Sequence, residues 1–319
     1  MPSKRHHWWP MCHSSLWTDE EGCITVYDKF NGIRRLRPNN TAVIGHYNTV
    51  RQLDGSIDTS LEEYFATDVE GKAAPVLRRL ATEKKRDLKA EWAIDKTQLH
   101  LARKLIAKDG FEVPSKAYSV GLNAADKIDL SRYIASLIVR VPSYKDALNS
   151  EAIQKMIASL LSSNHDESRI VTDLVHVDII KTHLVDYATR LSQCEFIIVD
   201  TAKVEFIIGD TPVIPAALGF GDAEAMLPLT PDRAIFIIRG WRGPLPDRAM
   251  IFDAKPANVK AFNITMLQNS ERQAFARSPI SDGFFAKYLG TQQARIKPTF
   301  EPQSNSIIDP GPMLTPQSR

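Results

Sequence analysis

Two short polar segments, far apart in the chain, carry the side chains best suited to chemistry. The first is His6-His7-Trp8-Trp9-Pro10. Imidazole titrates near neutral pH and binds metals, so His6 and His7 are candidate catalytic residues, as general acid or base, metal ligand or oxyanion donor. Adjacent residues of an extended strand point to opposite sides, so only one of the two readily faces a given pocket. The alternative is a cloning remnant or a structural aromatic plug.

The second segment is Gly209-Asp210-Thr211-Pro212, which follows an apolar run predicted to be a strand. A carboxylate held at the end of a rigid strand is well placed to act as a base or to bind a metal. Asp210 is therefore a candidate catalytic residue and a tentative metal ligand. The alternative is structural, because an Asp before Thr-Pro also forms an Asx-type turn that only caps a loop.

The elements that would position these segments begin with an N-terminal β-hairpin within residues 20–50. Residues 23–28 are rich in β-branched and aromatic side chains, which predicts a strand. The Asn31-Gly32 pair favours a turn, and residues 33–37 would form the return strand.

A helical region follows over residues 58–192. Apolar residues at spacings of three and four predict helices over residues 60–81, 88–108, 131–141, 146–162 and 168–191. Pro75 lies inside the first of these helices. A proline removes an intrahelical hydrogen bond, so we expect a kink or a break near Ala74.

The chain then changes to strands. Residues 195–200 and 204–209 are compact β-prone runs that suggest a buried hairpin, and residues 226–229 and 233–238 supply two more strands. A closing helix is predicted over residues 257–277. The order of strands and helices along the chain predicts an α+β fold with a helical middle region. In this fold the N-terminal β-hairpin joins the late antiparallel sheet of residues 195–240. Such a fold would bring the two polar segments together.

We expect residues 1–296 to form a single α+β domain. Its parts are the hairpin at 20–50, the helical region at 58–192, and the sheet with its closing helix at 195–290. Residues 297–319 are rich in Pro, Ser and Gln with few packing residues, so we expect a disordered tail there.

Several short motifs match the pattern of one protein family. They are His-x-x-Pro at His6 or His7, a helix ending in Arg140 and Pro142, Asp-x-Pro at Asp210, a strand at 226–231, and Asn263, Arg272 and Ser278 of the closing helix. In these features the chain resembles the domain of unknown function family 4238. Gly209 stands where the family pattern has a Ser. The resemblance carries no activity, but it implies that His6 or His7, Asp210, Arg140 and Asn263 share one site.

Two functions are compatible with such a site. The first is a hydrolase acting on phosphoester or nucleic-acid substrates, with one of the two histidines as acid or base and Asp210 as base or metal ligand. Arg140 and Arg272 would bind an anionic oxygen, for which a guanidinium fork is well suited, and Asn263 would orient a neighbouring group. The second is a non-catalytic binding or structural module in which the same residues form a buried polar network. The sequence leaves open whether the protein is an enzyme.

Composition narrows the partners and cofactors. The net charge is +2, which argues against a protein that coats nucleic acid. A local basic groove for nucleic acid or for a phosphorylated small molecule stays possible. One carboxylate and one or two histidines begin a divalent-metal site without completing it, so a metal cofactor is possible.

Other familiar classes are disfavoured. Three cysteines without C-x-x-C spacing argue against a disulfide scaffold or a structural zinc site. The N-terminus lacks the apolar run of a signal peptide, and no stretch approaches the roughly 18–20 apolar residues of a membrane-spanning helix, so we expect a cytoplasmic protein without a membrane partner. The sequence also lacks the glycine-rich nucleotide fingerprints, the nucleophile elbow of the α/β-hydrolases and the kinase motifs.

Overall fold

The computed structural model describes residues 5–52, 56–87, 118–148, 165–215, 223–239 and 247–291. Three predicted segments lie outside these ranges in whole or in large part: the helix at 88–108, the helix at 146–162 beyond residue 148, and the tail at 297–319.

The strands of the described residues are numbered in chain order. They are β1 (Arg5–His7), β2 (Ile24–Asp28), β3 (Gly32–Leu36), β4 (Val43–Gly45), β5 (Val50–Arg51), β6 (Ile57–Asp58), β7 (Arg86–Asp87), β8 (Tyr118–Gly121), β9 (Glu195–Asp200), β10 (Ile208–Gly209), β11 (Ile214–Pro215), β12 (Ala223–Thr230), β13 (Arg233–Ile238), β14 (Arg248–Asp253) and β15 (Gln273–Ala276).

The helices are numbered in the same way. They are α1 (Met11–Ser14), α2 (Ser60–Tyr64), α3 (Gly71–Thr82), α4 (Ala124–Val139), α5 (Pro142–Leu148), α6 (His165–Ser192), α7 (Pro256–Asn269) and α8 (Asp282–Tyr288). A π-helical segment, Phe65–Glu70, joins α2 to α3, and short 3₁₀ turns span Ser15–Trp17 and Pro38–Asn40.

A seven-stranded sheet forms the larger layer, in the order β11-β12-β13-β9-β14-β8-β7. The predicted strands at 226–229 and 233–238 are confirmed as parts of β12 and β13, which pair antiparallel. The sheet is mixed, because β14 runs parallel to β9. Every residue of β9 and β13 is buried, as expected for central strands covered on both faces.

The predicted hairpin of residues 195–200 and 204–209 is wrong. β9 pairs with β13 and β14, whereas β10 belongs to a second sheet and pairs with β15. Both runs are continuously apolar, so neither carries the alternation that would specify its partner. The residues between them cross from one sheet to the other.

The second sheet has four strands in the order β10-β15-β2-β3, all antiparallel. Its β2–β3 pair is the predicted N-terminal hairpin, and its antiparallel partner β15 lies late in the chain, so the predicted α+β fold is confirmed. The hairpin does not join the strands at 195–200, 226–229 and 233–238, which lie in the mixed seven-stranded sheet. The closing helix is shorter than expected. α7 ends at Asn269, and residues 273–276 form β15 instead of helix. Pairing with the free edge of β2 outweighs the modest helix propensity of these residues.

The helical middle region packs α4 along α6, and α4 also contacts α3. α4 begins at Ala124, seven residues before the predicted start, behind a capping box formed by Asn123 and Asp126. α3 continues through Pro75 without the expected break, and the irregular hydrogen bonding lies one turn earlier, in the π-helical segment.

Within the described residues, no helix has both the length and the apolar character needed to cross a bilayer.

Candidate functional site

The imidazole of His7 is held through one of its two ring nitrogens. It lies half-buried on β1, which pairs with β4, and its Nδ1 is 3.1 Å from the carbonyl oxygen of Thr41. A carbonyl only accepts hydrogen bonds, so Nδ1 carries the proton and Nε2 carries the lone pair. Among the residues that the structure describes, Nε2 has no hydrogen-bond partner. Burial lowers the pKa of His7, which keeps the imidazole neutral at neutral pH.

His6 points to the other side of β1, as the strand geometry predicts, and is fully buried. Its Nδ1 accepts a hydrogen bond from the backbone N–H of Asn48 at 2.9 Å and lies 3.6 Å from Glu62 Oε2. Asn48 Nδ2 in turn donates to the same carboxylate oxygen at 2.6 Å. These contacts tie β1 to the start of the helical region, which favours a structural role for His6.

Arg140 follows the last turn of α4 and is brought to the backbone of His7. Its side chain is 1 % exposed. One nitrogen donates to Glu70 Oε1 at 2.6 Å and another donates to the carbonyl oxygen of His7 at 2.6 Å. The guanidinium also lies over the ring of Phe65, 4.6 Å from its centroid. Because these contacts engage both terminal nitrogens, the geometry favours positioning of His7 over binding of a substrate oxygen.

Glu70 is the acidic member of this cluster that sequence reasoning missed. It lies at the end of the π-helical segment, and its charge acts on His7 in the direction that raises the histidine pKa. No local sequence signal identifies it, because the segment has an ordinary helical pattern. π-helical turns are nevertheless frequent at functional sites.

Cys12 lies beside the same carboxylate, but it is a poor nucleophile. Burial and the charge of Glu70 raise the pKa of its thiol to about 12, although Arg140 acts in the opposite direction. The reactive form of cysteine is the thiolate, so the thiol is inert at neutral pH. The exposed Arg78 also acts electrostatically on Cys12, and the exposed Arg5 acts on His7. The cluster therefore has a basic rim.

Asp210 is held by a turn instead of facing these groups. Its Oδ1 accepts the backbone N–H of Glu271 at 2.8 Å, and its Oδ2 accepts those of Arg272 and Gln273 at 2.7 and 2.9 Å. Burial raises the pKa of Asp210, while the amide donors oppose that rise. A raised carboxyl pKa suits an acid or base, but both oxygens are occupied by the turn between α7 and β15.

Asn263 and Arg272 also make contacts within the protein. Asn263 Oδ1 accepts the N–H of Ile207 at 3.0 Å, and its Nδ2 donates to the carbonyl of Glu205 at 2.8 Å. This fastens α7 to the chain entering β10. Arg272 Nε donates to the two carboxylate oxygens of Asp28 at 3.2 and 3.1 Å, which fastens β15 to the N-terminal hairpin.

Four of the six predicted site residues thus fall into two clusters, and His6 and Asn263 belong to neither. The His7 cluster consists of His7, Arg140 and Glu70, and the Asp210 cluster consists of Asp210 with the turn at 271–273. Trp8 and Trp9 connect them, because both indoles pack on Phe275 of β15, with ring centroids 5.8 and 5.0 Å apart. Both indoles are buried, as the structural interpretation of the N-terminal segment requires.

A metal ion has little to bind in either cluster. Within the described part of the chain, no three His, Cys, Asp or Glu side chains lie close enough together to hold one. Asp210, the tentative ligand, uses both carboxylate oxygens to accept backbone amides.

A family model described as a protein of unknown function (DUF4238) matches residues 5–279 of the chain. No curated protein and no solved structure matches the chain. The matched range includes both clusters and the tryptophan pair between them.

Proposed function

We propose that this chain, which belongs to the DUF4238 family of proteins of unknown function, is a hydrolase of phosphoester substrates with His7 as its general base. One observation carries the proposal. His7 is half-buried, its tautomer is set by the Thr41 carbonyl, and its Nε2 lone pair has no partner within the described residues. A neutral imidazole in that state can accept a proton from water.

The remaining residues of the His7 cluster support this chemistry. As the water oxygen bonds to phosphorus, one of its protons passes to His7 Nε2. The P–O bond to the ester oxygen breaks, and this oxygen takes the proton from the His7 imidazolium and leaves as an alcohol. The carboxylate of Glu70 stabilises the imidazolium formed in between. Arg140 holds the His7 backbone and Glu70 in place, and the exposed Arg5 and Arg78 attract an anionic substrate.

The test compares His7→Gln with wild type on p-nitrophenyl phosphate, bis-p-nitrophenyl phosphate and a single-stranded oligonucleotide. Loss of a general base lowers the rate by about 10²- to 10⁴-fold. His46→Asn is the matched control, because His46 is exposed and its positive φ of 53° is tolerated by Asn. In wild type, the rate should fall as the pH drops below the usual histidine pKa. Equal rates for His7→Gln and wild type, or no turnover of any of these substrates by folded wild type, would refute the proposal.

A second candidate is a non-catalytic module in which the same residues form a structural network. The observation that favours it is the number of backbone partners: Arg140, Asp210 and Asn263 all bind main-chain groups. In that case His7→Gln, Arg140→Met and Asp210→Asn would differ from wild type only in stability. A rate lost at unchanged unfolding free energy would support the hydrolase instead.

A further inference from the structure

An open cleft of about 490 Å³ lies at the strand ends of the seven-stranded sheet where β9 and β14 finish, and none of its lining residues belongs to the His7 cluster. Most of its lining residues lie in or next to the ends of β9, β12 and β14, the start of β13 and the end of α3, and Leu16 and Arg277 complete it. β9 and β14 run parallel, so their last residues, Asp200 and Asp253, lie side by side. A cleft at the carboxyl ends of adjacent parallel strands is a common place for a ligand, and this volume suits a small molecule.

The base of the cleft is a rigid ion pair. Arg233 binds Asp200 through two parallel hydrogen bonds of 2.6 and 3.0 Å, and both side chains are largely buried. The remaining nitrogen of Arg233 donates to the carbonyl oxygens of Leu80 and Glu83. These bonds use four of the five N–H donors of the guanidinium, so Arg233 offers at most one donor to an anionic ligand.

Lys85 already places an ammonium group in this cleft. Its Nζ lies 3.2 Å from Asp200 Oδ2 and contacts Asp253 Oδ1. It also lies 5.6 Å from the ring centroid of Tyr118, within the range of a cation–π interaction. We call these three partners, Asp200, Asp253 and Tyr118, the ammonium site. Burial lowers the pKa of Lys85, but the two carboxylates outweigh it and hold the pKa above its usual value, so the group stays charged.

The accessible groups at the mouth of the cleft are mainly carboxylates. The side chains of Asp253 and Asp232 are 53 % and 54 % exposed, whereas those of Lys85 and Arg277 are 27 % and 32 % exposed. Arg277 is held by Asp232 through two bonds of 2.9 Å and by Glu205. An approaching ligand thus meets acidic groups first, while the cations behind them are already paired.

We propose that this cleft binds a small organic amine whose ammonium group takes the ammonium site. The four-carbon stem of Lys85 is flexible, and its own ammonium moves into solvent, where hydration replaces the lost partners. Asp200 stays satisfied throughout, because Arg233 holds it from the other side. The half-exposed Asp232, which lines the same cleft, is the partner for a second ammonium on the ligand. This binding is independent of the hydrolase chemistry proposed for His7.

The test measures binding of 1,4-diaminobutane by isothermal titration calorimetry at low salt, with 1,4-butanediol as the uncharged analogue and inorganic phosphate as the anionic probe. The distinguishing variant is Lys85→Ala, which removes the internal competitor and should tighten diamine binding by about fivefold. Asp253→Asn should weaken diamine binding by about fivefold, the range expected for one half-exposed charged partner. Lys84→Ala is the matched control, because this exposed neighbour makes no contact in the ammonium site.

Each outcome decides the proposal. Tighter diamine binding by Lys85→Ala, unchanged binding by Lys84→Ala and no binding of the diol support it. Weaker or equal diamine binding by Lys85→Ala overturns it, as does phosphate binding that Lys85→Ala abolishes, which would indicate an anion site. Absence of diamine binding by both wild type and Lys85→Ala also overturns it. Melting temperatures of all variants show whether each is folded. Asp253 lies at the mouth of the cleft, so Asp253→Asn gives a second variant that leaves the Arg233–Asp200 ion pair intact.

Discussion

The close approach of Gly209 to Ser270 gives a sharp test of the packing between β10 and α7. A Cβ atom added at Gly209 would overlap Ser270 Oγ, 1.7 Å away, and it would lie 3.0 Å from Ser270 Cβ and 3.4 Å from Met266 Sδ. The strand backbone at Gly209 is one that alanine adopts without strain. The cost of Gly209→Ala is therefore steric.

The magnitude follows from what must move. Ser270 is buried, and its hydroxyl donates to the carbonyl of Met266 at 2.7 Å. Expelling it loses one buried hydrogen bond, about 1 kcal/mol, and leaves an overpacked contact of about 1–3 kcal/mol. Gly209→Ala should thus lower the unfolding free energy by about 2–4 kcal/mol. Ser270→Gly removes both clashing atoms, so the double variant should be no less stable than Ser270→Gly alone.

Urea unfolding followed by tryptophan fluorescence measures all four members of this cycle. The coupling energy between the two positions should be about 2–4 kcal/mol in the stabilising direction. Gly283→Ala is the control, because a Cβ there meets nothing within 4 Å and the residue lies in α8. If Gly209→Ala costs less than about 0.5 kcal/mol, or if Ser270→Gly fails to rescue it, then the close approach is not what requires a glycine.

Two further predictions concern polar side chains that bind the main chain. Asp210→Asn leaves at least one of the three backbone amides without an acceptor, so it should lower the unfolding free energy by about 1–3 kcal/mol. The control is Asp68→Asn, at an exposed position, which should change the unfolding free energy by less than about 0.5 kcal/mol in the same urea assay. Equal stability of the two variants would contradict a structural role for Asp210. Burial lowers the pKa of His13 to about 4, against the carbonyls of Pro228 and Leu229, which act to raise it. The contribution of neutral His13 to the unfolding free energy is therefore fully present above pH 6.5, and about 3 kcal/mol of it is lost as the pH falls towards 4. In urea titrations between pH 7.5 and 4, His13→Gln should make the unfolding free energy depend less steeply on pH. Parallel slopes for the variant and wild type would refute that assignment.

The sequence predicted the features that are local. The Asn31-Gly32 turn and the β-rich run before it gave the N-terminal hairpin, and Gly32 does adopt a positive φ of 70°. The alternation of His6 and His7 across a strand also followed from geometry alone. Resemblance to a family pattern identified the same family that the match over residues 5–279 shows.

Features that depend on distant partners were not predictable. Residues 273–276 are acceptable helix formers, and only the free edge of β2 makes them a strand. Glu70 joins the His7 cluster through Arg140, which is 70 residues away in sequence. The Lys85 ammonium site likewise requires β9 and β14 to be neighbours, a pairing that two apolar runs do not encode.

The packing between the His7 and Asp210 segments links them structurally. The two segments can therefore depend on each other without both taking part in one reaction. Asp210 fixes the turn at 271–273, and this turn sets the start of β15. Phe275, two residues later, supports Trp8 and Trp9, which follow His7 directly. The chain of contacts runs from the partly exposed Asp210 hydrogen bonds to the buried indoles, so Asp210 can affect the position of His7 through packing alone. A loss of activity in Asp210→Asn therefore identifies a catalytic carboxylate only if the variant keeps the unfolding free energy of wild type.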